Sequence, residues 1–259
     1  SSGADQAFTV GFDEGDRYSE VNKAAKVAEK AGLKHHVKII SKQEFWDALP
    51  DVMYHMDEPL GDASAVALYF LSKEAAGHVK VVLSGEGADE LFGGYNIYRE
   101  PESLKKIAWI PFGVRRVIGK LAAKLPDVKG RDFLIRAGMK VEERFIGNAY
   151  IYREKEKAQI LKNKVTGPST QEYLRPFFKE LESENRGSLR DMEKMQSVDL
   201  RYWLPGDILQ KADKMSMAHS LEVRVPFLDK EVFDFAAKLP KEAKIAAGTT
   251  KYIFRKAVS

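Results

Sequence analysis

Short apolar runs alternate with helical segments along the first 100 residues, and this alternation restricts the fold more than any other feature. Residues 7–12 and 35–40 are rich in β-branched and aromatic side chains, which predicts two strands. Apolar residues recur at helical spacing across residues 21–28, and Gly32 then supplies a helix stop. Strands that alternate with helices usually pair in parallel, so the pattern predicts βαβ units.

Two more helices and a third strand follow in the same alternating order. Ser41 stands three residues before Glu44, which is the signature of a capping box at a helix start. Residues 63–76 are predicted to form the next helix, with Pro59 in the loop before it. Residues 79–83 then form a short β-branched run that predicts a strand.

Beyond about residue 100 the two-residue alternation disappears and helical periodicity dominates. We therefore predict an α/β fold in residues 1–100, with a parallel sheet flanked by helices, and a mainly helical half in residues 101–259. A chain of 259 residues is long enough for such a domain with an ample core.

Composition narrows the function classes. Hydrophobic residues make up 44% and charged residues 31% of the chain, as in globular proteins. The net charge of +4 is spread over mixed-sign stretches, so no nucleic-acid partner is expected. The absence of cysteine excludes disulfides and thiolate chemistry and is compatible with the cytoplasm. No apolar run approaches the roughly 20 residues of a membrane span.

Residues 84–95, SGEGADELFGGY, follow directly after the third predicted strand. In an open parallel sheet, ligands bind beyond the carboxyl ends of the strands. The small residues of 84–87 let backbone amides approach phosphate, and a helix predicted to start near Ala88 adds a positive dipole end. Asp89 and Glu90 could hold Mg²⁺ through their oxygen atoms. The alternative is an ordinary strand–turn–helix whose acids are simply favoured in a first helical turn.

Four collinear stretches carry a family resemblance. They are FTVGF at 8–12, MDEPLGDASAVALYFLSK at 56–73, SGEGADELFGGY at 84–95 and DILQKADKMSMAHSLEVRVPFLD at 207–229. Together they resemble the synthetase domain of the glutamine-hydrolysing asparagine synthetases, members of the ATP-pyrophosphatase superfamily. The resemblance spans most of the chain.

This resemblance implies an enzyme that uses ATP and Mg²⁺. Family members adenylate the side-chain carboxylate of aspartate, and ammonia then displaces AMP to give asparagine. Glu86 and Asp89 would be catalytic, with Asp89 also binding the metal and Glu86 orienting ammonia or accepting its proton. The ATP-binding residues implied by the motifs are Val10, Ser84, Gly85 and Gly87.

The C-terminal motif implies residues on the substrate side of the cleft. These candidates are Asp207, Lys211, Asp213 and Lys214. Met215, Met217 and Leu221 are expected in the core, and Arg224 is expected to pair with a carboxylate that braces the cleft wall. A metal site at His35-His36 is not expected, because adjacent residues on a strand point to opposite faces.

Three parts of the family pattern have no match in the sequence. The Ser-Gly-Gly-x-Asp-Ser loop is one, since SSGAD at 1–5 leaves no room for the crossover helix of about 10 residues that must precede the next strand. The first strand and this loop are therefore expected upstream of Ser1. The cysteine nucleophile of the glutaminase half is the second. The pyrophosphate-binding lysine is the third, and Lys251 is its nearest candidate.

These gaps suggest a fragment that is inactive by itself and self-associates through unpaired strand edges. Ammonia would come from glutamine through a glutaminase domain in a parent chain. Two alternatives stay open: a related cyclase of the β-lactam synthetase type that adenylates another carboxylate, and a nucleotide-binding domain without catalysis. The sequence does not fix the oligomeric state, and a homodimer is compatible with it.

Overall fold

The protein is described by a computed structural model. The described residues are 3–13, 20–58, 61–148, 152, 154–163, 167–185 and 189–258, so the predicted loop at Pro59 lies outside them. The chain divides into two compact units, Ser1–Glu86 with Pro205–Asp229 and Gly87–Leu204 with Lys230–Ser259. Both units are discontinuous in sequence, and the division near residue 100 inferred from sequence pattern remains a prediction.

The first unit contains both sheets found in the described part of the chain. Its strands are β1 (Gln6–Phe12), β2 (Lys34–Ile40), β3 (Val81–Leu83) and β4 (Glu222–Arg224). Its helices are α1 (Val21–Ala31), α2 (Lys42–Met56), α3 (Ser64–Ala76) and α12 (Gln210–Met217), and a 3₁₀ turn covers Pro226–Leu228. The three strands predicted in the first 100 residues are confirmed, whereas β4 was missed because three residues carry no period-two signal.

The strands pair in parallel, but in two small sheets. β1 pairs with β2 from Gln6↔Lys34 to Phe12↔Ile40, and β3 pairs with β4 from Val81↔Glu222 to Leu83↔Arg224. No hydrogen bonds join the two sheets in the described residues. The α/β character and the parallel pairing are as predicted, and the predicted parallel sheet is present as two small sheets in the described part of the chain.

A groove of about 650 Å³ explains the interruption. Residues of β1, including Ala7 and Phe8, line it together with Val81–Leu83 of β3, and α3 contributes Leu68 and Ala75. The inner edges of β1 and β3 therefore face a mostly apolar space instead of each other. A strand edge without a partner leaves backbone amides and carbonyls unpaired, which is a feature that proteins usually cover.

Local sequence signals explain where the helices of the first unit begin and end. Gly32 adopts a left-handed conformation with φ 68° and ends α1, as its position in the sequence predicts. Ser41 accepts a hydrogen bond from the Glu44 amide, and the Glu44 carboxylate accepts one from the Ser41 amide, completing the predicted capping box of α2. These polar contacts satisfy backbone groups that a bare helix end would expose.

The core of the first unit forms where α2, α3 and α12 meet β2. Its fully buried members include Ile40, Val52, Val66 and Met215. Leu221 is buried as predicted, but Met217 is 58% exposed, so its predicted core role is wrong. The helical face explains this difference, because Met217 lies two residues beyond Met215 and points away from the buried side of α12.

The regular elements of the second unit are helices within its described residues, apart from an isolated antiparallel bridge between Ala246 and Thr249. Its longer helices are α6 (Phe112–Ala122), α10 (Thr170–Glu184), α11 (Asp191–Val198) and α13 (Lys230–Lys238). Its shorter helices are α4 (Ala88–Phe92), α5 (Glu100–Lys105), α7 (Arg131–Ala137), α8 (Val141–Arg144), α9 (Glu154–Ile160), α14 (Lys241–Lys244) and α15 (Tyr252–Val258), with a 3₁₀ turn at Asn96–Arg99.

The core of the second unit combines aromatic and sulfur-containing side chains. Tyr98, Phe178 and Met195 are buried in one cluster that draws on four of its elements. Beside this cluster Arg144 donates to Glu100 at 2.8 Å and to Asp191 at 2.7 Å. Both carboxylates match the guanidinium geometry, so this nearly buried arginine has the partners that burial requires.

A π-helical segment, Asp199–Leu209, runs across the point where the chain passes from one unit to the other. Pro205 lies inside it and cannot donate a backbone hydrogen bond, which disfavours a regular α-helix there. Within the described residues, no helix combines the length and the apolarity that crossing a membrane would require.

Candidate active site

The signature segment begins as an extension of β3. The Ser84 amide donates to the Arg224 carbonyl at 2.8 Å, so the β3–β4 ladder continues one residue past the strand. This amide is already used and does not belong among those predicted to contact phosphate. Ser84 and Glu86 are half-buried and line the groove of the first unit, while Gly85 is exposed with open space around its Cα.

Val10 lies in β1 and packs against the core cluster of the first unit. Its side chain therefore has a structural role, and any contact with adenine would come from its backbone. The structure places Val10 and Ser84 in the same unit, although on different sheets. A core position is what a valine in a strand predicts when the family motif is left aside.

The helix after the signature glycines is short. It starts at Ala88 as expected but ends at Phe92, so it has five residues. A helix of little more than one turn aligns few peptide dipoles, which makes the predicted positive dipole end weak. Gly87 adopts φ 87° at its N-terminus, a conformation that side chains with a Cβ rarely take.

Asp89 forms an ion pair with Lys251, which the sequence analysis names as the nearest candidate for the pyrophosphate-binding lysine. The Lys251 ammonium lies 3.0 Å from the Asp89 carboxylate, and the two side chains are 21% and 37% exposed, respectively. Gly94 makes this geometry possible, because a Cβ there would lie 1.7 Å from Asp89 Oδ1 and 2.4 Å from Lys251 Cε. The Gly94 amide also donates to the Asp89 carbonyl at 2.8 Å.

Glu90 does not accompany Asp89 as a second metal ligand, so that part of the sequence prediction is wrong. Its side chain is 1% exposed and accepts a hydrogen bond from Tyr95 Oη at 2.7 Å. Burial raises the pKa of Glu90, although the hydrogen bond from Tyr95 works in the opposite direction. Gln196 donates to the Glu90 carbonyl at 2.5 Å, in the middle of the short helix.

In the first unit, Lys211 lies between two carboxylates. It donates to Asp207 at 3.2 Å and to Asp62, and its side chain is 6% exposed. Burial alone would lower the pKa of Lys211, but the two acids raise it overall. Burial raises the pKa of Asp207, whereas the contacts of Asp62 with Lys211 and Ser64 lower its pKa despite burial. Asp207 and Lys211 are thus in direct contact, and their predicted position on the substrate side of the cleft stays a prediction.

The other candidates of the C-terminal motif lie nearer the surface. Lys214 pairs with Asp57 at the end of α2, and the two side chains are 35% and 68% exposed, respectively. Asp213 is exposed, and it adds to the raised pKa of Lys214 after the main contribution from Asp57. Arg224 pairs with Glu222, but both are exposed, so this pair braces little and the Arg224 carbonyl makes the structural contact instead.

One polar centre of the second unit was missed by sequence reasoning. Asp199 is fully buried, accepts from Tyr98 Oη at 2.5 Å and accepts from the Asn148 amide and side chain at 3.1 and 2.7 Å. Burial raises the pKa of Asp199 to about 7. No motif marks these three residues, because they are at least 50 positions apart in the sequence.

The two adjacent histidines have different partners. His35 contacts Thr9 Oγ1 at 2.9 Å on one face of the β1–β2 sheet. The His36 ring instead lies 4.0 Å from the ring of His78, and burial lowers its pKa, with His78 and Lys34 acting in the same direction. The pair therefore does not form a site by itself, since its members do not share a face.

Comparisons with known proteins agree with the sequence motifs. Residues 3–259 match the family described as asparagine synthase. Asparagine synthetase [glutamine-hydrolyzing] 1 of Bacillus subtilis is 48% identical over 253 residues, which cover 97% of this chain and 39% of the relative. Asparagine synthetase [glutamine-hydrolyzing] 3 of the same organism is 26% identical over 97% of this chain and 37% of its own length. This chain therefore spans about two-fifths of the length of these curated relatives.

Proposed function

This chain belongs to the asparagine synthase family, and from that membership we propose that it catalyses the ATP-dependent conversion of aspartate and ammonia to asparagine. A side-chain carboxylate oxygen of aspartate bonds to the α-phosphorus of ATP, and pyrophosphate leaves. The nitrogen of ammonia then bonds to the acyl carbon, AMP leaves with the electrons of the broken C–O bond, and the nitrogen loses a proton. Ammonia would come from glutamine in the native polypeptide.

The Asp89–Lys251 pair is the observation that carries this proposal. Asp89 belongs to the family signature, and its partly accessible carboxylate is held 3.0 Å from a lysine ammonium by a glycine that leaves no space for a Cβ. This arrangement offers an oxygen ligand for a cation and a positive charge for phosphate oxygens in one position. Pyrophosphate release builds negative charge, which such preorganised groups stabilise.

The donor chemistry also fits Mg²⁺. Carboxylate oxygens are the ligands that Mg²⁺ uses together with substrate phosphates, and Asp89 is the accessible carboxylate of the signature in the second unit. When bound, Mg²⁺ would neutralise charge on the phosphates. The Lys251 ammonium would then contact a phosphate oxygen instead of Asp89, so that it keeps an anionic partner when Mg²⁺ binds.

Nucleotide binding falls to the residues around the end of β3. Because the Ser84 amide is bonded to Arg224, the Ser84 hydroxyl is the donor that we assign to ATP. Gly85 has open space around it, which lets its backbone approach a phosphate. Gly87 provides the turn that begins the next helix. Val10 would contribute backbone groups to the adenine site.

Glu86 is the residue that we assign to the second half-reaction. Its carboxylate is half-buried, which is the setting in which a carboxylate can orient ammonia or accept the proton released when the amide forms. Asp207 and Lys211 would form the fixed wall of the substrate side, with Asp213 nearby. Lys214 is the better candidate for aspartate binding, since its accessible pair with Asp57 can open at little cost.

We also propose that the groove between β1 and β3 accepts a further strand in the native polypeptide. Both inner strand edges and an apolar lining point to such an occupant. The superfamily loop expected after that strand would add phosphate contacts beside Ser84. Residues 1–259 alone are then expected to be inactive, because pyrophosphate would lack donors worth about 3–4 kcal/mol each.

The test separates the two half-reactions in the native polypeptide that carries this sequence. With aspartate, ATP, Mg²⁺ and ammonia, it should release AMP and pyrophosphate and form asparagine. Asp89→Asn and Lys251→Met should lower aspartate-dependent exchange of pyrophosphate into ATP by about 100-fold or more. Glu86→Gln should keep this exchange and lose asparagine formation.

Matched controls are Asp234→Asn and Lys124→Met, which change exposed residues of the second unit and should leave both rates unchanged. AMP release with a different carboxylic acid, and none with aspartate, would assign the chain to the cyclase type instead. If no carboxylic acid gives AMP while ATP still binds, the domain binds nucleotide without catalysis.

A further inference from the structure

Three metal-binding side chains converge in the first unit, and none of them belongs to the signature segment. His36 lies on β2, Glu74 lies in the last turn of α3, and His78 follows α3 after Gly77. One ligand atom from each side chain lies within 4.8 Å of the other two. Within the described part of the chain, this is the one group of three such residues that comes this close.

The spacing matches a small metal ion better than a hydrogen-bonded pair. Glu74 Oε1 and His78 Nε2 are 3.4 Å apart. Tetrahedral Zn²⁺ with bonds of about 2.0–2.1 Å places its ligand atoms about 3.3–3.4 Å from one another. Two of the three ligands therefore already stand at the required separation, and the third needs an inward shift of at most about 1.4 Å.

His36 has a buried ring nitrogen that the contact between Glu74 and His78 does not satisfy. Its Nε2 atom is buried and has no hydrogen-bond partner among the residues that the structure describes. The ring is held in place by stacking on Phe8, with centroids 5.0 Å apart and an interplanar angle of 18°. A buried polar atom without a partner is destabilising and calls for an occupant such as water or an ion.

We propose that His36, Glu74 and His78 bind a divalent transition-metal ion, Zn²⁺ in the first instance, with water in the fourth position. Two imidazole nitrogens and one carboxylate form a ligand set that Zn²⁺ accepts, with one open coordination site. The hard oxygen-only preference of Mg²⁺ distinguishes this site from the one assigned to Asp89. The bound ion would link β2 to the C-terminal end of α3.

The chain is favourable for testing this proposal. It contains no cysteine and five histidines, so thiolate binding cannot compete and each imidazole can be removed in turn. His35 is a close control, because it is adjacent to His36 in sequence but contacts Thr9 on the other face. His→Gln changes keep a polar side chain of similar size, and circular dichroism establishes that each variant folds.

Isothermal titration of chelator-treated, tag-free protein with Zn²⁺ should show one equivalent of tight binding. His36→Gln and His78→Gln should weaken it by about 100-fold or more, and Glu74→Gln by about tenfold or more. His35→Gln should bind as the unchanged protein does. Equal affinity in His36→Gln and the unchanged protein, or an equal loss in His35→Gln, would overturn the proposal.

A second readout concerns the link between β2 and α3. Zn²⁺ should raise the unfolding temperature of the unchanged protein and leave that of His36→Gln and His78→Gln unchanged. Mg²⁺ at the same concentration should not reproduce the shift. Because this measurement uses neither aspartate nor ATP, it can fail while the proposed ligase function holds, and the reverse is equally possible.

Discussion

The two units stabilise their most deeply buried acids in opposite ways. In the first unit, Asp207 shares the Lys211 ammonium with Asp62, so a buried negative charge faces a positive one. In the second unit, Glu90 and Asp199 face neutral donors instead, namely tyrosine hydroxyl groups and, for Asp199, the amides of Asn148. One unit relies on charge pairing and the other on hydrogen bonding to acids.

The two kinds of partner shift the pKa values of the buried carboxyl groups differently. In the first unit, burial raises the pKa of Asp207, but the contacts of Asp62 with Lys211 and Ser64 lower the Asp62 pKa despite burial, so Asp62 is the acid that stays charged on folding. Burial raises the pKa of Asp199 to about 7 and raises that of Glu90 as well, so folding shifts both acids towards the protonated form. The units should therefore respond differently to the loss of a partner and to pH.

Removal of Lys211 should have the largest effect. Lys211→Met leaves Asp62 and Asp207 without their cation, and breaking a buried pair in this way destabilises by about 3–5 kcal/mol. Urea denaturation of the chain should show this loss in the free energy of unfolding. Lys214→Met is the matched control, since its pair with Asp57 is solvent-exposed and should contribute far less to stability. Similar losses in the two variants would contradict the contrast drawn here.

Asp199→Asn should change how stability depends on pH. The folded state holds the Asp199 proton up to a pKa of about 7, against 3.8 as the reference value. Between these two pKa values the folded protein binds more protons than the unfolded chain. Stability that is present at low pH is therefore lost as the pH rises through this range, by ~1.4 kcal/mol per unit of pKa shift. The variant should lose this part of the slope, and Glu90 should retain its own contribution of the same sign.

Asp62→Asn tests the opposite sign. Because the folded pKa of Asp62 is lowered, its contribution is present above the unfolded pKa and disappears as pH falls through the folded value. Denaturation curves recorded from well below the ordinary aspartate pKa of about 3.9 up to about pH 8 should therefore separate the two variants. Parallel slopes would show that the two units do not differ as described.

The open edges of the first unit should affect association more than folding. Leu83 is 57% exposed on β3 and lines the groove. We expect residues 1–259 to self-associate, and Leu83→Lys to reduce association by placing a charge on the strand edge. Light scattering measures this directly. Leu125→Lys alters an equally exposed leucine of the second unit, 52% exposed, and should have no effect. A monodisperse unchanged chain would contradict the proposed strand position.

Periodic signals in the sequence predicted the first unit well. The run at 35–40, the glycine stop at Gly32 and the Ser41–Glu44 capping box all depend on neighbours within a few residues. β4 and the interruption between the two sheets could not be predicted in this way. They depend on the pairing of Val81–Leu83 with residues about 140 positions later, for which three-residue strands provide no local signal.

In the candidate site too, local motifs identified residues but not their long-range partners. Motif resemblance identified Asp89, but its ion pair with Lys251 spans 162 residues and became visible only in three dimensions. The same motif placed Glu90 beside Asp89 as a metal ligand, although the short helix turns it inward to Tyr95. Adjacent acids look equivalent in a sequence, whereas a helix separates them by about 100° around its axis.

Removal of helix caps should give the smallest effects and the closest match between the units. Ser41 caps α2 in the first unit and Ser169 caps α10 in the second, each in a capping box with a glutamate three residues later. Ser41→Ala and Ser169→Ala should each lower the free energy of unfolding by about 1 kcal/mol. Each serine accepts from the equivalent backbone amide of its own helix, three residues later. The contrast in buried acids should therefore not extend to the caps. Urea denaturation of the two variants would show a difference above about 1 kcal/mol only if one unit unfolds separately from the other.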